Sequence, residues 1–325
     1  SDLDIAERRV PQDGRFKIKA QGREIDLRVS LLPTVHGEKV CLRLLDKSNL
    51  AKNLDDLGLN PDSLNKLRYA INQPHGLILV TGPTGSGKTT TLYSALQEIN
   101  TPDVNITTVE NPVEYQLMGI NQVEIKEAIG MTFAAALRSI LRQDPDIVLV
   151  GETRDAETAD IAVKAALTGH LVMTTLHTND APSAVARLVY MGIEPFLLAS
   201  CLLLSQAQRL VRRICPNCKE QVDIDPEYIS KNNIPQDLAD NAEIYEGRGC
   251  SRCGNSGYKG RTSIMEILLI SKKLRDLILQ SANGEELKQA ALSEGFQDLR
   301  ENGFTRVREG VTTVEEVLRV TAGDN

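Results

Sequence analysis

Leu77-Ile78-Leu79-Val80-Thr81-Gly82-Pro83-Thr84-Gly85-Ser86-Gly87-Lys88-Thr89-Thr90 is the stretch that decides the fold. Its first five residues are a short apolar run of the type found in strands buried on both faces. The next eight fit G-x-x-x-x-G-K-[ST] at every fixed position, and residues 90–99 continue with helical character. Strand, glycine-rich turn and helix in that order make a phosphate cradle. Glycines let backbone N–H groups curl around phosphate oxygens, and the helix N-terminus adds a favourable dipole. Gly82, Thr84, Gly85, Ser86, Gly87 and Thr90 are the candidate cradle residues. Lys88 is placed to reach the β and γ phosphates of a nucleotide, and the Thr89 hydroxyl to ligate Mg²⁺.

Working outward, residues 106–109, 147–150 and 171–175 are further short apolar runs, separated by stretches with helical spacing such as Phe133, Leu137, Ile140 and Leu141. Buried strands alternating with helices predict an α/β fold with a mostly parallel sheet covered on both faces. Two carboxylate clusters follow such runs. Asp144-Pro145-Asp146 leads into one that closes on Gly151-Glu152, and Glu110-Asn111-Pro112-Val113-Glu114 closes another. Three strand ends therefore deliver Lys88, Glu114 and Glu152 to one edge of the sheet, where ligands bind in such folds.

Before this core, alternation in Phe16/Ile18/Ala20, in Ile25/Leu27/Val29/Leu31 and in Val40/Leu42/Leu44 predicts a small antiparallel sheet with one solvated face and a turn at Gln21-Gly22. A helix follows, with Asn60 as N-cap and Pro61 in its first turn. Asn72-Gln73-Pro74-His75-Gly76 breaks it and sets the expected domain boundary, giving 1–72 and 73–325. The larger part divides into 73–208 (core), 209–264 (irregular, around the cysteines) and 265–325 (helical). There Leu274, Leu277 and Ile278 share a face, and Thr312 with Glu315 predicts a capping box.

Of the 325 residues, 41% are hydrophobic and 25% charged, as in ordinary globular proteins. The longest apolar run, residues 196–204, is far short of the roughly 20 residues that cross a bilayer. Residues 1–9 lack a signal-peptide core, so a cytoplasmic location is expected, and the start at Ser1-Asp2-Leu3 reads as a fragment without its upstream domains. With 44 acidic against 37 basic residues, a net charge of −7 and no Trp, the chain does not have the balance of a nucleic-acid binder.

Four of six cysteines stand in two pairs, Cys215-Pro216-Asn217-Cys218 and Cys250-Ser251-Arg252-Cys253. Two such knuckles make a tetrahedron of thiolates that suits a structural Zn²⁺. Lone Cys41 and Cys201 read as small buried hydrophobes. His170 and His177 flank the run 171–175, while His36 and His75 fall in loops. Arg209, Arg212 and Arg213 read as a solvated helix end.

Gly82 to Thr89, Thr108 to Glu114, Asp144 to Glu152, and Thr168-Gly169-His170-Leu171 through Thr175-Leu176-His177-Thr178 resemble the Walker A, Asp box, Walker B and His box of the secretion-superfamily ATPases. The order and spacing match over about residues 10–320. The resemblance implies a RecA-like P-loop core, a PAS-like N-terminal α/β domain and a homo-hexameric, cytoplasmic motor at an inner-membrane platform protein. It implies that ATP hydrolysis drives type IV pilus assembly or type II secretion; a pilus-retraction motor or a DNA translocase of the same core is the alternative. Carried over residue by residue, Glu114 activates water, Glu152 helps hold Mg²⁺ and water, and His177 senses the γ-phosphate region. Arg15 and Arg28 approach the nucleotide on domain closure. The tetracysteine insert is common in assembly and secretion motors and absent from retraction motors. One departure stands out: Asn111 occupies a position where the family usually has Asp, so the catalytic assignment rests on Glu114.

Overall fold

The computed structural model describes all residues except 2, 21–22, 47–52, 224–225, 233, 242 and 323–325. The chain divides into two compact units, Ser1–Ala51 and Lys52–Asn325.

In the smaller unit, β1 (Gln12–Ala20), β2 (Arg23–Thr34) and β3 (Gly37–Asp46) form the expected antiparallel sheet in sequential order. The turn at Gln21-Gly22 lies outside the described residues. Gly37, at φ 113°, takes the left-handed turn position between β2 and β3. The register aligns Phe16, Leu27 and Leu44 on one face and Arg15, Arg28 and Arg43 on the other. Leu27 and Val29 on the central strand are buried, whereas Val40, Leu42 and Leu44 on β3 stay exposed. Cys41, also on β3, is exposed rather than buried; Cys201 is buried as expected.

The larger unit starts with α1 (Pro61–Ile71), capped by the Asn60 side chain at Ser63 N. This helix was expected to close the N-terminal domain. The structure instead places it with the core: Leu67, Ala70 and Ile71 are buried, and α1 packs on two strands of the main sheet. The division therefore falls at 51/52 and not at 72/73.

The main sheet uses β4 (Gly76–Thr81), β5 (Ile106–Glu110), β6 (Asn121–Glu124), β7 (Ile147–Val150), β8 (Leu171–Leu176), β9 (Leu202–Ile214) and β12 (Tyr258–Leu269), with β10 (Lys219–Val222) and β11 (Ile244–Gly247) forming a separate small ladder. The order β12-β9-β4-β8-β7-β5-β6 is parallel throughout except at β12, which pairs antiparallel with β9. Helices α2 (Lys88–Ile99), α3 (Phe133–Ile140), α4 (Ala156–Leu167), α5 (Ala181–Tyr190) and α6 (Pro195–Cys201) connect these strands. Strands β4, β7 and β8 are buried at every position, the cause of their unbroken apolar sequences.

Residues 209–264 are more regular than expected. β9 and β12 carry the main sheet into this segment, and the cysteine knuckles follow the end of β9 and precede β12. Between the knuckles lie β10, β11, α7 (Pro226–Lys231) and α8 (Gln236–Asn241). The chain continues through α9 (Lys272–Leu279), α10 (Gly284–Ser293), α11 (Leu299–Arg308) and α12 (Val314–Val320). The last cap sits one residue later than expected: the Thr313 side chain accepts from Glu316 N, and Thr312 Oγ1 donates to Arg212 O at 2.8 Å. Glu266, buried on β12, accepts from the first N–H groups of α5 (Ala181, 2.6 Å) and α11 (Leu299, 2.8 Å), so one carboxylate ends two helices. Among the described residues, no helix is long and apolar enough to cross a membrane.

Candidate nucleotide site and tetracysteine cluster

Because β4, β5, β7 and β8 run parallel, their C-terminal ends share one edge of the sheet. β4 opens there into the glycine-rich turn. Gly82, Gly85 and Gly87 all take positive φ (139°, 81° and 92°). A Cβ on Gly82 meets Gln208 O at 2.5 Å, so only glycine fits; around Gly85 nothing lies within 4 Å, leaving the turn open on that side. No side chain caps the N-terminus of α2, which leaves its first N–H groups for an anion. Ser86 Oγ is buried with no hydrogen-bond partner. Lys88 Nζ donates to Gly82 O (2.6 Å) and Pro83 O (3.2 Å) inside its own turn. Desolvation holds this ammonium below the usual lysine range, with Glu152 acting in the opposite sense. The donor set fits a nucleotide phosphate, and Thr89 and Glu152 are the residues whose oxygens would hold a Mg²⁺ beside it.

Glu152 follows β7 and is largely buried. Its Oε1 lies 2.7 Å from His177 Nε2 and 2.6 Å from Arg154 Nε. Desolvation raises its pKa, but Arg154 and His177 outweigh that and hold it below the usual carboxylate range. The strand ends thus bring Lys88, Glu152 and His177 together. Glu114 lies beyond the end of β5, past the cis Asn111–Pro112 bond. His170 plays a different part: its Nδ1 is 3.0 Å from Ala165 O, closing the turn before β8. Arg15 and Arg28 face each other across β1 and β2 in the smaller unit.

Several residues behind the cradle escaped the sequence reading. Gln208, 1% exposed on β9, donates to Ser86 O (2.8 Å) and accepts from Thr91 Oγ1 (2.9 Å). Arg209 is 6% exposed, not solvated, and lies on a strand, not a helix end. It donates to Asn179 O at 2.7 Å in the segment after His177, and its charge helps depress Lys88. Thr81 Oγ1 donates to the carbonyls of Leu176 and Thr178, both at 3.0 Å, locking the ends of β4 and β8. A polar strand beside the P-loop was the available signal, but nothing in the sequence marks its glutamines as buried. A groove of about 800 Å³, lined in part by Asn105, Asn121, Met131 and Ile140, opens near the starts of β5 and β6, away from these strand ends.

The four knuckle sulfurs lie within 4.8 Å of one another. Cys215–Cys250 and Cys218–Cys253 Sγ pairs are 3.9 Å apart and Cys250–Cys253 is 3.7 Å. Zn–S bonds of about 2.3 Å in a tetrahedron require sulfurs about 3.8 Å apart, so the cluster has the dimensions of a zinc site. Desolvation raises Cys218 to about 12; at Cys253 the N–H groups of Cys250 and Gly257 more than offset it and bring the thiol to about 6.

The family model described as "Type II/IV secretion system protein" matches residues 1–319. The chain is 53% identical to the type IV pilus assembly ATPase PilB of Myxococcus xanthus over its whole length, covering 58% of that protein. It is 51% identical to the type II secretion system ATPase E of Vibrio cholerae over 98% of its length, covering 63% of that protein. The chain thus spans about six-tenths of these relatives. The crystal structure of the pilus retraction motor PilT with bound ADP superposes with a TM-score of 0.68 at 28% identity, covering 95% of this chain and 77% of that one. The ATPase DotB of Legionella pneumophila shares the fold at a TM-score of 0.69. On the family match across nearly its full length, the chain belongs to the type II/IV secretion system protein family.

Proposed function

We propose that this chain is the motor portion of an ATPase that drives type IV pilus assembly or type II secretion. The observation that carries the reading is the meeting of Lys88, Glu152 and His177 at the mouth of a complete P-loop. The names of relatives near 50% identity support the two machines equally.

In this mechanism the cradle N–H groups and Lys88 bind the phosphates; Thr89 and Glu152 would hold Mg²⁺, which would neutralise phosphate charge. Glu114 accepts the proton of the attacking water, and His177, tied to Glu152, reports on the γ-phosphate region. Arg15 and Arg28 are the proposed charge stabilisers, and they stand opposite each other in the register of β1 and β2. Cys215, Cys218, Cys250 and Cys253 are proposed to hold a structural Zn²⁺. A homo-hexamer, cytoplasmic and docked on an inner-membrane platform protein, completes the proposal. Similarity to PilT favours retraction as the second reading; the cysteine cluster weighs against it.

The experiment is ATP turnover by Glu114→Gln. General-base catalysis supplies about 10²–10⁴-fold, so turnover falls by that factor while ATP binding persists. Turnover at the parent rate overturns the assignment of Glu114.

A further inference from the structure

Tyr93 sits one and a half turns into α2, five residues beyond Lys88, and is fully buried. A buried phenol requires hydrogen-bond partners, and these are specific. Its hydroxyl donates to Glu110 Oε2 at the end of β5. It accepts from Gln122 Nε2 at 3.2 Å.

Glu110, 4% exposed, is held by three hydrogen bonds in turn. Oε1 accepts from Thr108 Oγ1 (2.6 Å) and Gln122 Nε2 (3.3 Å), while Oε2 takes the Tyr93 proton. None of these partners is a cation. A buried carboxylate without a counter-charge is costly, and this one is held by three neutral donors. Gln122 also donates to Tyr115 O (3.1 Å) and accepts from Leu117 N (2.7 Å), and the Tyr115 ring meets Tyr93 edge-on at 4.7 Å. The loop bearing Glu114 is thereby anchored on both sides of that residue by one buried cluster. Desolvation and the Glu110 charge push the Tyr93 hydroxyl well above the usual phenol range, so it remains a donor at all working pH.

We propose that Tyr93, Glu110 and Gln122 are positioning residues that fix the main chain of Glu114 to α2, the helix carrying Lys88 and Thr89. The base and the phosphate cradle are then set at one distance by a side-chain cluster whose centre, Tyr93 and Glu110, is buried. This rests on Glu114 being the general base. Glu110, in the same acidic run, is assigned the positioning role because it is buried and bonded to Tyr93, Thr108 and Gln122.

The test is steady-state ATP hydrolysis by the full chain. A misplacement of about 1 Å in a reacting group costs up to roughly 10²-fold, so Tyr93→Phe lowers kcat by about tenfold or more, with KM for ATP within about twofold. Glu110→Ala falls similarly, and Glu110→Gln, which keeps an acceptor for Tyr93, regains most of the loss. Because the cluster acts through Glu114, adding Tyr93→Phe to Glu114→Gln produces no further fall. A merely structural cluster gives an additive loss instead, and that result overturns the proposal. So does parent-level kcat in Tyr93→Phe when Glu114→Gln is inactive, or a loss in Glu110→Gln as large as in Glu114→Gln. Parent-level turnover in Glu114→Gln sinks the base assignment itself, independently of Tyr93. If Tyr93→Phe does not fold, Gln122→Ala makes the same comparison from half-exposed β6.

Discussion

Arg209 shows what a single residue contributes that its sequence context hides. Next to Arg212 and Arg213 it reads as part of a basic surface cluster. In the structure its neighbours diverge: Arg212 pairs with Glu316 and lies 4.0 Å over the Tyr258 ring, while Arg209 turns inward behind Lys88. Strand geometry separates them, because successive side chains point to opposite faces. Its charge acts on Lys88, lowering that ammonium's pKa, and so adds to the positive field that a nucleotide phosphate meets at the turn. Arg209→Met, which keeps the length and removes the charge, is therefore expected to raise the Kd for ATP about tenfold, a loss of about 1.4 kcal/mol. Isothermal titration checks it; an ATP affinity within twofold of the parent contradicts the assignment. The P-loop residues and Glu152 were legible because their spacing is itself the chemistry. Arg209 and Gln208 were not, because their role depends on which face of β9 meets the turn.

Among the elements, those whose sequence period matches their burial were read correctly. β4 and β7 are unbroken apolar runs because both faces are covered, and α1 carries its cap and its proline where the pattern puts them. β9 was missed because Ser205, Gln206 and Gln208 are fully buried polar residues in a strand. Ser205 and Gln208 donate to Ala181 O and Ser86 O, distant in sequence, while Gln206 donates to Gln208 within the strand and its own Oε1 has no hydrogen-bond partner. The cap of α12 was misplaced by one residue because Thr312 and Thr313 are chemically equivalent, and only the tertiary bond from Thr312 to Arg212 O selects the second. That helix is tied to β9 by Glu316, whose carboxylate bonds Arg212 and Arg319. Desolvation raises its pKa, but the two arginines and the Arg212 N–H prevail and hold it at about 2. A carboxylate depressed in the folded state contributes stability above its unfolded value, near 4.5, and loses it as pH falls towards 2. The contribution is about 2 kcal/mol, less than the full shift implies because both arginines are half-exposed and screened. Glu316→Gln is therefore expected to be less stable than the parent at pH 7, with the gap closing between pH 4.5 and 2. Denaturant midpoints across that range check it, and a gap independent of pH contradicts the ion-pair account.

For the molecule as a whole, the α/β class and the strand ends that build the site followed from sequence, while the division of the chain did not. The helix breaker at residues 72–76 is a real local signal, since β4 begins at Gly76. Membership of a unit is set by what α1 buries, which local sequence does not encode. The cysteine insert shows the same contrast. Its four clustered thiols were legible from two C-x-x-C pairs, but not that β9 and β12 of the main sheet flank them. That architecture makes the metal prediction specific. The purified chain is expected to hold about one Zn²⁺ through Cys215, Cys218, Cys250 and Cys253. Structural zinc contributes folding free energy of order 10–16 kcal/mol in small zinc-finger peptides. Here it would join two segments whose intervening chain holds a short ladder, β10–β11, two six-residue helices, α7 and α8, and a small apolar cluster shared with α11 and α12. Cys250→Ser is expected to lose the metal and expose residues 219–249 to proteolysis. ATP binding should survive, because β4 and the P-loop are held by β8 and the parallel part of β9, remote from the knuckles. Metal analysis alongside limited proteolysis decides it. A parent chain with four free thiols, no zinc and a protease-resistant insert refutes the zinc assignment; loss of ATP binding in Cys250→Ser refutes the independence of the two sites.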